Sequence, residues 1–249
     1  MKLYVARSAE EWNRLTAQIV REVIEAKPDA VLGLATGNTP IGMYKELVRM
    51  YKAGEIDFSR VRTFNLDEYL GIDPGHPASF ISFMKQHLFD HVNIAPDRIH
   101  IPKANPDDPE AEAAAYRELL RTYGPCDLQV LGIGTNGHIG FNEPGTSFDS
   151  VTSVVELHES TRKANAPAFG GDPANVPARA ITVGISEIMT AKKILLLATG
   201  AGKADIMKAA LEGEVTEQVP ASVLQRHDDV VVVCDEAAAS RLELPRSER

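Results

Sequence analysis

Short runs made almost entirely of apolar residues recur along the chain, and they restrict its fold more than any other feature. Residues 30–35 (Ala-Val-Leu-Gly-Leu-Ala), 128–131 (Leu-Gln-Val-Leu) and 229–234 (Asp-Val-Val-Val-Val-Cys) are examples. Strands that face water on one side alternate apolar and polar residues, whereas strands covered on both faces do not. These runs therefore predict a mostly parallel sheet with both faces buried.

The segments between these runs have the spacing of amphipathic helices. In the first, Trp12, Leu15 and Ile19 recur at helical intervals after Ser8, which we expect to cap the helix. We also expect an edge strand at 151–157, where the pattern alternates weakly, and a helix that follows the last strand through Leu242. Alternating strands and helices predict an α/β fold, a doubly wound, mostly parallel sheet flanked by helices in a Rossmann-like three-layer sandwich. The 249 residues contain no linker and no internal repeat, so we expect a single domain over residues 1–249.

The run at 128–131 leads into a glycine-rich loop at residues 132–145, which holds the densest set of reactive side chains. Four glycines within nine positions allow positive φ angles and a close approach to a ligand. Asn136, His138 and Glu143 lie in this loop, and an imidazole near a carboxylate can transfer protons. The three together favour a catalytic site over a plain connection whose histidine is merely hydrogen-bonded.

The same glycines partly match the fingerprint of a dinucleotide-binding loop. That fingerprint requires its last glycine to open a helix at the pyrophosphate. Here Gly140, Pro144 and Gly145 would soon break a helix that began at Gly137. We therefore disfavour a dinucleotide cofactor.

A second polar loop follows the run at 30–35 and suits a phosphate group. Thr36, Gly37, Asn38 and Thr39 precede Pro40, which is typical of the first turn of a helix, with Thr39 as its cap. Backbone amides at a helix N-terminus bind phosphate, although the same residues are common in plain turns.

Two further residues follow predicted strands. Asp67 comes after a strand at 61–66, at the sheet edge where ligands bind in parallel folds, and the alternatives are a helix cap or a surface ion pair. Lys203 begins a helix after a strand at 193–198, where an ammonium group suits a phosphate unless it is simply solvated. Residues 160–178 predict either a mobile lid or a surface loop.

Composition limits the class of partner. The net charge of −9 argues against nucleic acid or an anionic membrane as the main partner. Cys126 and Cys234 lie far apart without metal-ligand spacing, and His87 and His91 lack an acidic third ligand, so we expect no metal site. We see no signal peptide and no membrane span, so we expect a cytoplasmic protein.

Together the motifs resemble the glucosamine-6-phosphate deaminase family, also called glucosamine-6-phosphate isomerases. The likeness extends over nearly the whole chain and rests on residues 36–40 (Thr-Gly-Asn-Thr-Pro), 64–69 (Phe-Asn-Leu-Asp-Glu-Tyr), 137–144 (Gly-His-Ile-Gly-Phe-Asn-Glu-Pro), 182–184 (Thr-Val-Gly) and 200–203 (Gly-Ala-Gly-Lys). It implies conversion of glucosamine 6-phosphate and water to fructose 6-phosphate and ammonia, without a metal or organic cofactor. The alternative enzyme is a 6-phosphogluconolactonase-like hydrolase on the same fold, and the alternative of another class is a non-catalytic sugar-phosphate sensor.

The resemblance also implies roles for particular residues. It makes Asp67 the base that moves the C2 proton, His138 the acid and base for ring opening, and Glu143 the carboxylate partner of His138. An imidazole suits ring opening because it exchanges protons near neutral pH. Lys203 and residues 36–39 would then hold the substrate phosphate.

The chain departs from the family pattern at two places. Many relatives have Asp where this chain has Asn136, which can orient His138 by a hydrogen bond but adds no charge. Some relatives bind phosphate with an Arg near position 167, where this chain has Pro167. The candidates to replace that arginine are Arg162, Lys163 and Arg179.

We expect simple regulation. Longer relatives that form allosteric hexamers carry a C-terminal extension and basic residues in the segment matching 152–157, and this sequence shows neither. We therefore expect a monomer or a small homo-oligomer that N-acetylglucosamine 6-phosphate does not activate.

Overall fold

The computed structural model describes residues 1–247 and contains a large parallel sheet beside a small antiparallel one. The strands of the described residues are β1 (Lys2–Ala6), β2 (Val31–Leu34), β3 (Arg62–Asn65), β4 (Asp67–Tyr69), β5 (Ile99–His100), β6 (Leu128–Gly132), β7 (Ser153–Glu156), β8 (Arg179–Thr182), β9 (Ile194–Ala198) and β10 (Val230–Asp235). The large sheet has seven strands in the order β1-β10-β9-β6-β2-β3-β5, and every neighbouring pair is parallel. The predicted fold class is confirmed.

Helices flank this sheet, as the sequence pattern predicted. The α-helices are α1 (Ala9–Ala26), α2 (Ile41–Lys52), α3 (Phe80–His87), α4 (Pro109–Tyr123), α5 (Glu159–Asn165), α6 (Ile185–Ile188) and α7 (Ala204–Glu212). Short 3-10 helices cover Phe89–His91, Pro96–Arg98, Ala166–Phe169, Pro173–Asn175, Ala201–Lys203 and Pro220–Arg226. Ser8 caps α1, and its side chain accepts a hydrogen bond from the backbone of Glu11 at 3.1 Å.

The apolar runs form the centre of the core. Every residue of β2 and of β9 is buried, as are the first five residues of β10. A strand enclosed on both faces has no polar side to expose, which explains why these segments do not alternate.

The small sheet was not foreseen. Its order is β4-β8-β7, and both pairs are antiparallel. β4 begins two residues after β3 ends, so the chain passes directly from the large sheet into the small one. The predicted edge strand near 151–157 is confirmed as β7, although it borders this smaller sheet.

Two local predictions were wrong. Thr39 does not cap α2, because Pro40 occupies the capping position and no side chain bonds there. The helix expected after the last strand, to Leu242, is a series of turns. The carboxylate of Asp235 accepts hydrogen bonds from the backbones of Ala238 and Gly200, which favours a turn at this point.

Candidate active site

A cavity of about 270 Å³ lies at the carboxyl ends of four neighbouring strands, β9, β6, β2 and β3. Strands β2 and β6 are neighbours in the sheet. After β2 the chain continues to β3 and β5 on one side, and after β6 it continues to β9 and β10 on the other side. The loops after two such strands diverge and leave a crevice, which is where parallel α/β folds bind ligands. The strand order therefore places the cavity.

Seven of the nine residues predicted for the site line this cavity: Thr36, Gly37, Thr39, Asp67, Asn136, His138 and Lys203. Glu143 lies outside the lining but contacts Asn136 and His138. Asn38 is exposed and outside the lining, and its carbonyl accepts a hydrogen bond from the backbone of Ile41 at 3.3 Å. The three predicted loops thus meet at one place.

Glu143 is a buried carboxylate whose two oxygens are both hydrogen-bonded. Oε2 accepts from Nδ2 of Asn136 at 2.8 Å, and Oε1 accepts from the hydroxyl of Thr161. Burial by itself would raise the pKa of Glu143, but contacts with His138, Thr161 and Asn136 outweigh it and lower the pKa to about 2. Glu143 is therefore ionised at neutral pH.

His138 is oriented by this carboxylate through Asn136. An ionised carboxylate can only accept hydrogen bonds, so it must face the amide nitrogen of Asn136. The amide oxygen of Asn136 then lies 2.7 Å from Nδ1 of His138 and can only accept from it. In the neutral imidazole the proton is consequently on Nδ1, and Nε2 keeps the lone pair. Oε2 of Glu143 is itself 3.4 Å from Nδ1 of His138, so it acts on the ring mainly through Asn136.

The glycines of this loop make room for the imidazole. A Cβ atom at Gly134 would lie 2.2 Å from Cε1 of His138, so any side chain there would displace the imidazole from its position. The backbone N–H of Gly134 donates to the carbonyl of His138 at 2.9 Å, and Gly137 has a φ of 88°. No helix begins at Gly137, which agrees with the expectation drawn against a dinucleotide loop.

Asp67 is the second carboxylate of the site and lies on β4, where it is 7% exposed. Burial, with a smaller contribution from the neighbouring Glu68, raises the pKa of Asp67 to about 8. Glu68 has a structural role, because its carboxylate accepts hydrogen bonds from the backbones of Phe80 and Ile81 at the start of α3. Of the two acids, Asp67 alone lines the cavity.

Lys203 supplies positive charge at the opposite loop. Its ammonium donates to the carbonyl of Ile133 at 2.5 Å, and burial lowers its pKa. The preceding Gly200 has a φ of 89°, and its backbone N–H donates to both carboxylate oxygens of Asp235. This tie holds the lysine loop against the end of β10. An ammonium group in a partly enclosed pocket suits an anionic ligand.

Sequence analysis missed the residues that cover the cavity. The lining includes Tyr69, Phe80, Phe141, Ser160, Thr161, Ala164 and Asn165. Four of these come from the segment predicted as a lid or a surface loop. Thr161 and Asn165 are four residues apart, which places both on one face of α5, and that polar pair was the signal available in the sequence.

The basic candidates for the missing arginine lie outside this lining. Arg162 reaches the carbonyl of Ala174 at 3.5 Å, Lys163 pairs with Glu159, and Arg179 is exposed. Among the residues that line the cavity, Lys203 is the one with a cationic side chain.

Metal and membrane features can be assessed over residues 1–247. In that part of the chain, no group of three or more His, Cys, Asp or Glu is arranged to hold a metal ion. Over the same range, none of the helices has the length and apolar character needed to cross a bilayer.

Comparison with known proteins places the chain in a family. A sequence model of the family described as glucosamine-6-phosphate isomerases/6-phosphogluconolactonase matches residues 5–233. The chain belongs to this family. Glucosamine-6-phosphate deaminase 2 of Bacillus subtilis (strain 168) is 56% identical over 245 residues, which cover 97% of this chain and 98% of that protein. The glucosamine-6-phosphate deaminase of Thermoanaerobacter sp. (strain X514) is 50% identical over 240 residues, which cover 96% and 94%.

Solved structures with the same fold include proteins described by either activity. One, described as a monomeric glucosamine-6-phosphate deaminase, has a TM-score of 0.94 and 46% identity, and the match covers 97% of this chain and all of that one. The 6-phosphogluconolactonase from Trypanosoma brucei has a TM-score of 0.77 at 21% identity, with 97% and 98% covered. The lactonase thus shares the fold, whereas the deaminases also share about half of the sequence.

Proposed function

We propose that the protein is an amino-sugar phosphate hydrolase that converts glucosamine 6-phosphate and water to fructose 6-phosphate and ammonia. The observation that carries this proposal is the meeting of Asp67, His138 and Lys203 around one cavity. The reaction needs a base for the C2 proton, an acid–base group for the ring and a cation for the phosphate, and each residue suits one of these needs. The relatives named as deaminases support the same substrate.

Ring opening is the step for His138. In the neutral ring Nε2 can take the proton of the anomeric hydroxyl, and the resulting imidazolium can give a proton to the ring oxygen as the C1–O5 bond breaks. The open-chain aldehyde then forms without net gain or loss of protons. Asn136 and Glu143 keep the proton on Nδ1, so that Nε2 is the atom facing this task.

Asp67 acts on the open-chain aldehyde. The carbonyl at C1 acidifies the C2 proton, so the ionised carboxylate of Asp67 can remove it while the C1 oxygen takes a proton from the ammonium group at C2, which gives an enolamine. The carboxyl of Asp67 then returns its proton to C1, which gives a protonated imine at C2. Water adds to that imine and ammonia leaves, which yields the C2 ketone of fructose 6-phosphate.

The raised pKa of Asp67 fits this substrate. With its pKa at about 8, the carboxyl is largely protonated at neutral pH before substrate binds. A substrate ammonium group at C2 would favour the ionised carboxylate, because a nearby positive charge offsets the effect of burial. We therefore expect substrate binding itself to convert Asp67 to the ionised form that acts as the base.

We propose that the phosphate is held by Lys203 and by residues 36–39. The backbone amides of that loop precede α2, and Thr36, Gly37 and Thr39 line the cavity. The lysine lies after β9, two strands away from β2 in the sheet, so the two groups can approach a phosphate from different sides.

Further proposals concern the assembly and the covering segment. We propose one domain over residues 1–249, in which residues 160–178 act as a lid on the cavity. We propose a cytoplasmic enzyme without an organic cofactor or a metal, active as a monomer or a small homo-oligomer. The relative described as monomeric supports the monomer.

The proposal is tested by measuring ammonia release from glucosamine 6-phosphate, with 6-phosphogluconolactone as the competing substrate in a parallel assay. We expect ammonia and fructose 6-phosphate in equal amounts and no hydrolysis of the lactone above background. Lactone hydrolysis without ammonia release would instead identify a lactonase. Binding of glucosamine 6-phosphate without turnover would identify a sensor.

A further inference from the structure

The covering helix α5 is hydrogen-bonded to the acid–base machinery through Thr161. Its N-cap, His158, lies beside the other oxygen of the same carboxylate, with Nδ1 3.9 Å from Oε2 of Glu143, too far for a hydrogen bond. Thr161 is 4% exposed, and its hydroxyl donates to Oε1 of Glu143. The other oxygen of Glu143 is the one that holds Asn136. Thr161 thus stands at the far end of a hydrogen-bonded row that runs through Glu143 and Asn136 to His138.

Each member of this row fixes the next one. With a donor on each oxygen, the carboxylate of Glu143 cannot rotate about its Cγ–Cδ bond without breaking a bond to a charged group, which is the strong kind. The plane of the carboxylate sets the direction of the amide nitrogen of Asn136. The amide oxygen in turn sets which nitrogen of His138 bears the proton.

We propose that Thr161 is a positioning residue for the reaction: by holding Oε1 of Glu143, it keeps the amide of Asn136 turned so that His138 presents Nε2 to the substrate. This inference rests on the proposed function and deepens it, because it assigns to the covering segment a part in the chemistry. The burial of both Thr161 and Glu143 strengthens the bond, because a hydrogen bond to a charged group is electrostatically stronger in a low local dielectric.

The simpler alternative is that Thr161 only attaches α5 to the body of the protein. The same helix has a second attachment four residues later, where Nδ2 of Asn165 donates to the hydroxyl of Tyr69 at 2.9 Å. Tyr69→Phe removes that attachment and leaves all the bonds of Glu143 in place. Because Tyr69 also lines the cavity, this variant is the matched control for the tautomer of His138 and not for kcat.

The test compares Thr161→Val, Thr161→Ser and Tyr69→Phe with the parent. Valine keeps the shape of threonine without its hydroxyl, and serine restores the hydroxyl. In ammonia release from glucosamine 6-phosphate, we expect kcat of Thr161→Val to fall by about tenfold to a hundredfold, the usual effect of one lost hydrogen bond to a charged group, with KM changed by less. Thr161→Ser should recover most of kcat.

The second readout is the tautomer of His138, followed by ¹⁵N NMR of histidine-labelled protein at alkaline pH, where imidazoles are neutral. The His138 signals are assigned by their absence from His138→Gln. We expect the parent, Thr161→Ser and Tyr69→Phe to carry the proton on Nδ1, and Thr161→Val to show a mixture of both tautomers. Thr190→Val is the control for the substitution itself, because the exposed hydroxyl of Thr190 donates to the carbonyl of Glu187 and Thr190 does not line the cavity.

The outcomes separate the two ideas. Loss of kcat in Thr161→Val with an unchanged tautomer would overturn the positioning role, and so would a mixed tautomer with unchanged kcat. If the parent releases no ammonia at all, the proposed function fails. The tautomer comparison then still decides whether Thr161 orients His138, because it needs no substrate.

Discussion

Replacing Asp67 by Asn should change how the stability of the protein depends on pH. Asp67 is 7% exposed, and burial raises its pKa from 3.8 to about 8. In the unfolded chain the carboxyl returns to its ordinary pKa and is ionised throughout the neutral range. The folded protein therefore holds a proton that the unfolded chain does not, and this contribution to stability is lost as the pH rises through the folded pKa.

The size of the effect follows from these two values. Between pH 6.5 and 8 the folded carboxyl passes from almost fully protonated to half protonated, while the unfolded carboxyl is ionised throughout. Proton linkage then lowers the free energy of unfolding of the parent by roughly 1.5 kcal/mol relative to Asp67→Asn, in which nothing titrates at this position. Glu68, with its pKa raised to about 6, titrates mostly below this window.

The assay is urea unfolding of the parent and Asp67→Asn at pH 6.5 and pH 8, and the quantity compared is the difference between the two proteins. Groups common to both proteins cancel in that difference. The exposed residue Asp107, changed to Asn, is the control for the substitution itself. If the difference in unfolding free energy between the parent and Asp67→Asn is the same at both pH values, the raised pKa is refuted.

Turnover of Asp67→Asn should fall about 10²-fold or more. Near-normal exchange of the C2 proton with solvent in this variant would refute the role of Asp67 as the base.

Four further predictions concern the reaction. In the parent, kcat/KM should rise with pH and level off above about 8, since the free enzyme needs Asp67 ionised; a flat profile from pH 6 to 9 would contradict this. Lys203→Ala should mainly raise KM for glucosamine 6-phosphate, and the control Lys45→Ala, at an exposed lysine, should not. Equal turnover of unphosphorylated glucosamine by the parent would count against a phosphate site. Gly134→Ala should lower kcat about tenfold or more, because its Cβ would collide with the imidazole of His138. The control is Gly75→Ala, whose Cβ would lie 3.3 Å from Oδ1 of Asp73, and its kcat should be unchanged. Saturation with glucosamine 6-phosphate should be hyperbolic, and a sigmoidal curve that N-acetylglucosamine 6-phosphate makes hyperbolic would show allostery after all.

The large sheet could be predicted because its signal is local in the sequence. A segment such as 230–234 is apolar at every position, and a strand buried on both faces is the usual outcome for so short a run. The loops that carry Thr36, His138 and Lys203 could be placed at one edge because parallel strands all point the same way. That rule needs only the order of strands and helices along the chain.

The small sheet and the covering segment could not be predicted, because both depend on contacts between distant residues. β4 has three residues and pairs with β8, more than a hundred positions away, so no pattern within either strand announces the pairing. The bond between Thr161 and Glu143 likewise joins two segments whose approach is set by the rest of the fold. Thr39 shows the reverse case, where a good capping residue was not used because Pro40 already occupied the position.

The two groups proposed to move protons are mounted on different sheets. Asp67 begins β4 of the small sheet, whereas His138 follows β6 of the large one. The loop that carries His138 is bound to the end of β8 in the small sheet by two hydrogen bonds, from Phe141 N–H to the hydroxyl of Thr182 and from the side-chain amide of Asn142 to the carbonyl of Val183. The distance between Asp67 and His138 therefore depends on these contacts between the loop and the small sheet, and not on either sheet alone. Thr182→Val removes the hydroxyl that accepts from Phe141 but leaves Asp67 and His138 in the sequence. We expect it to slow C2 proton transfer and ring opening by different factors.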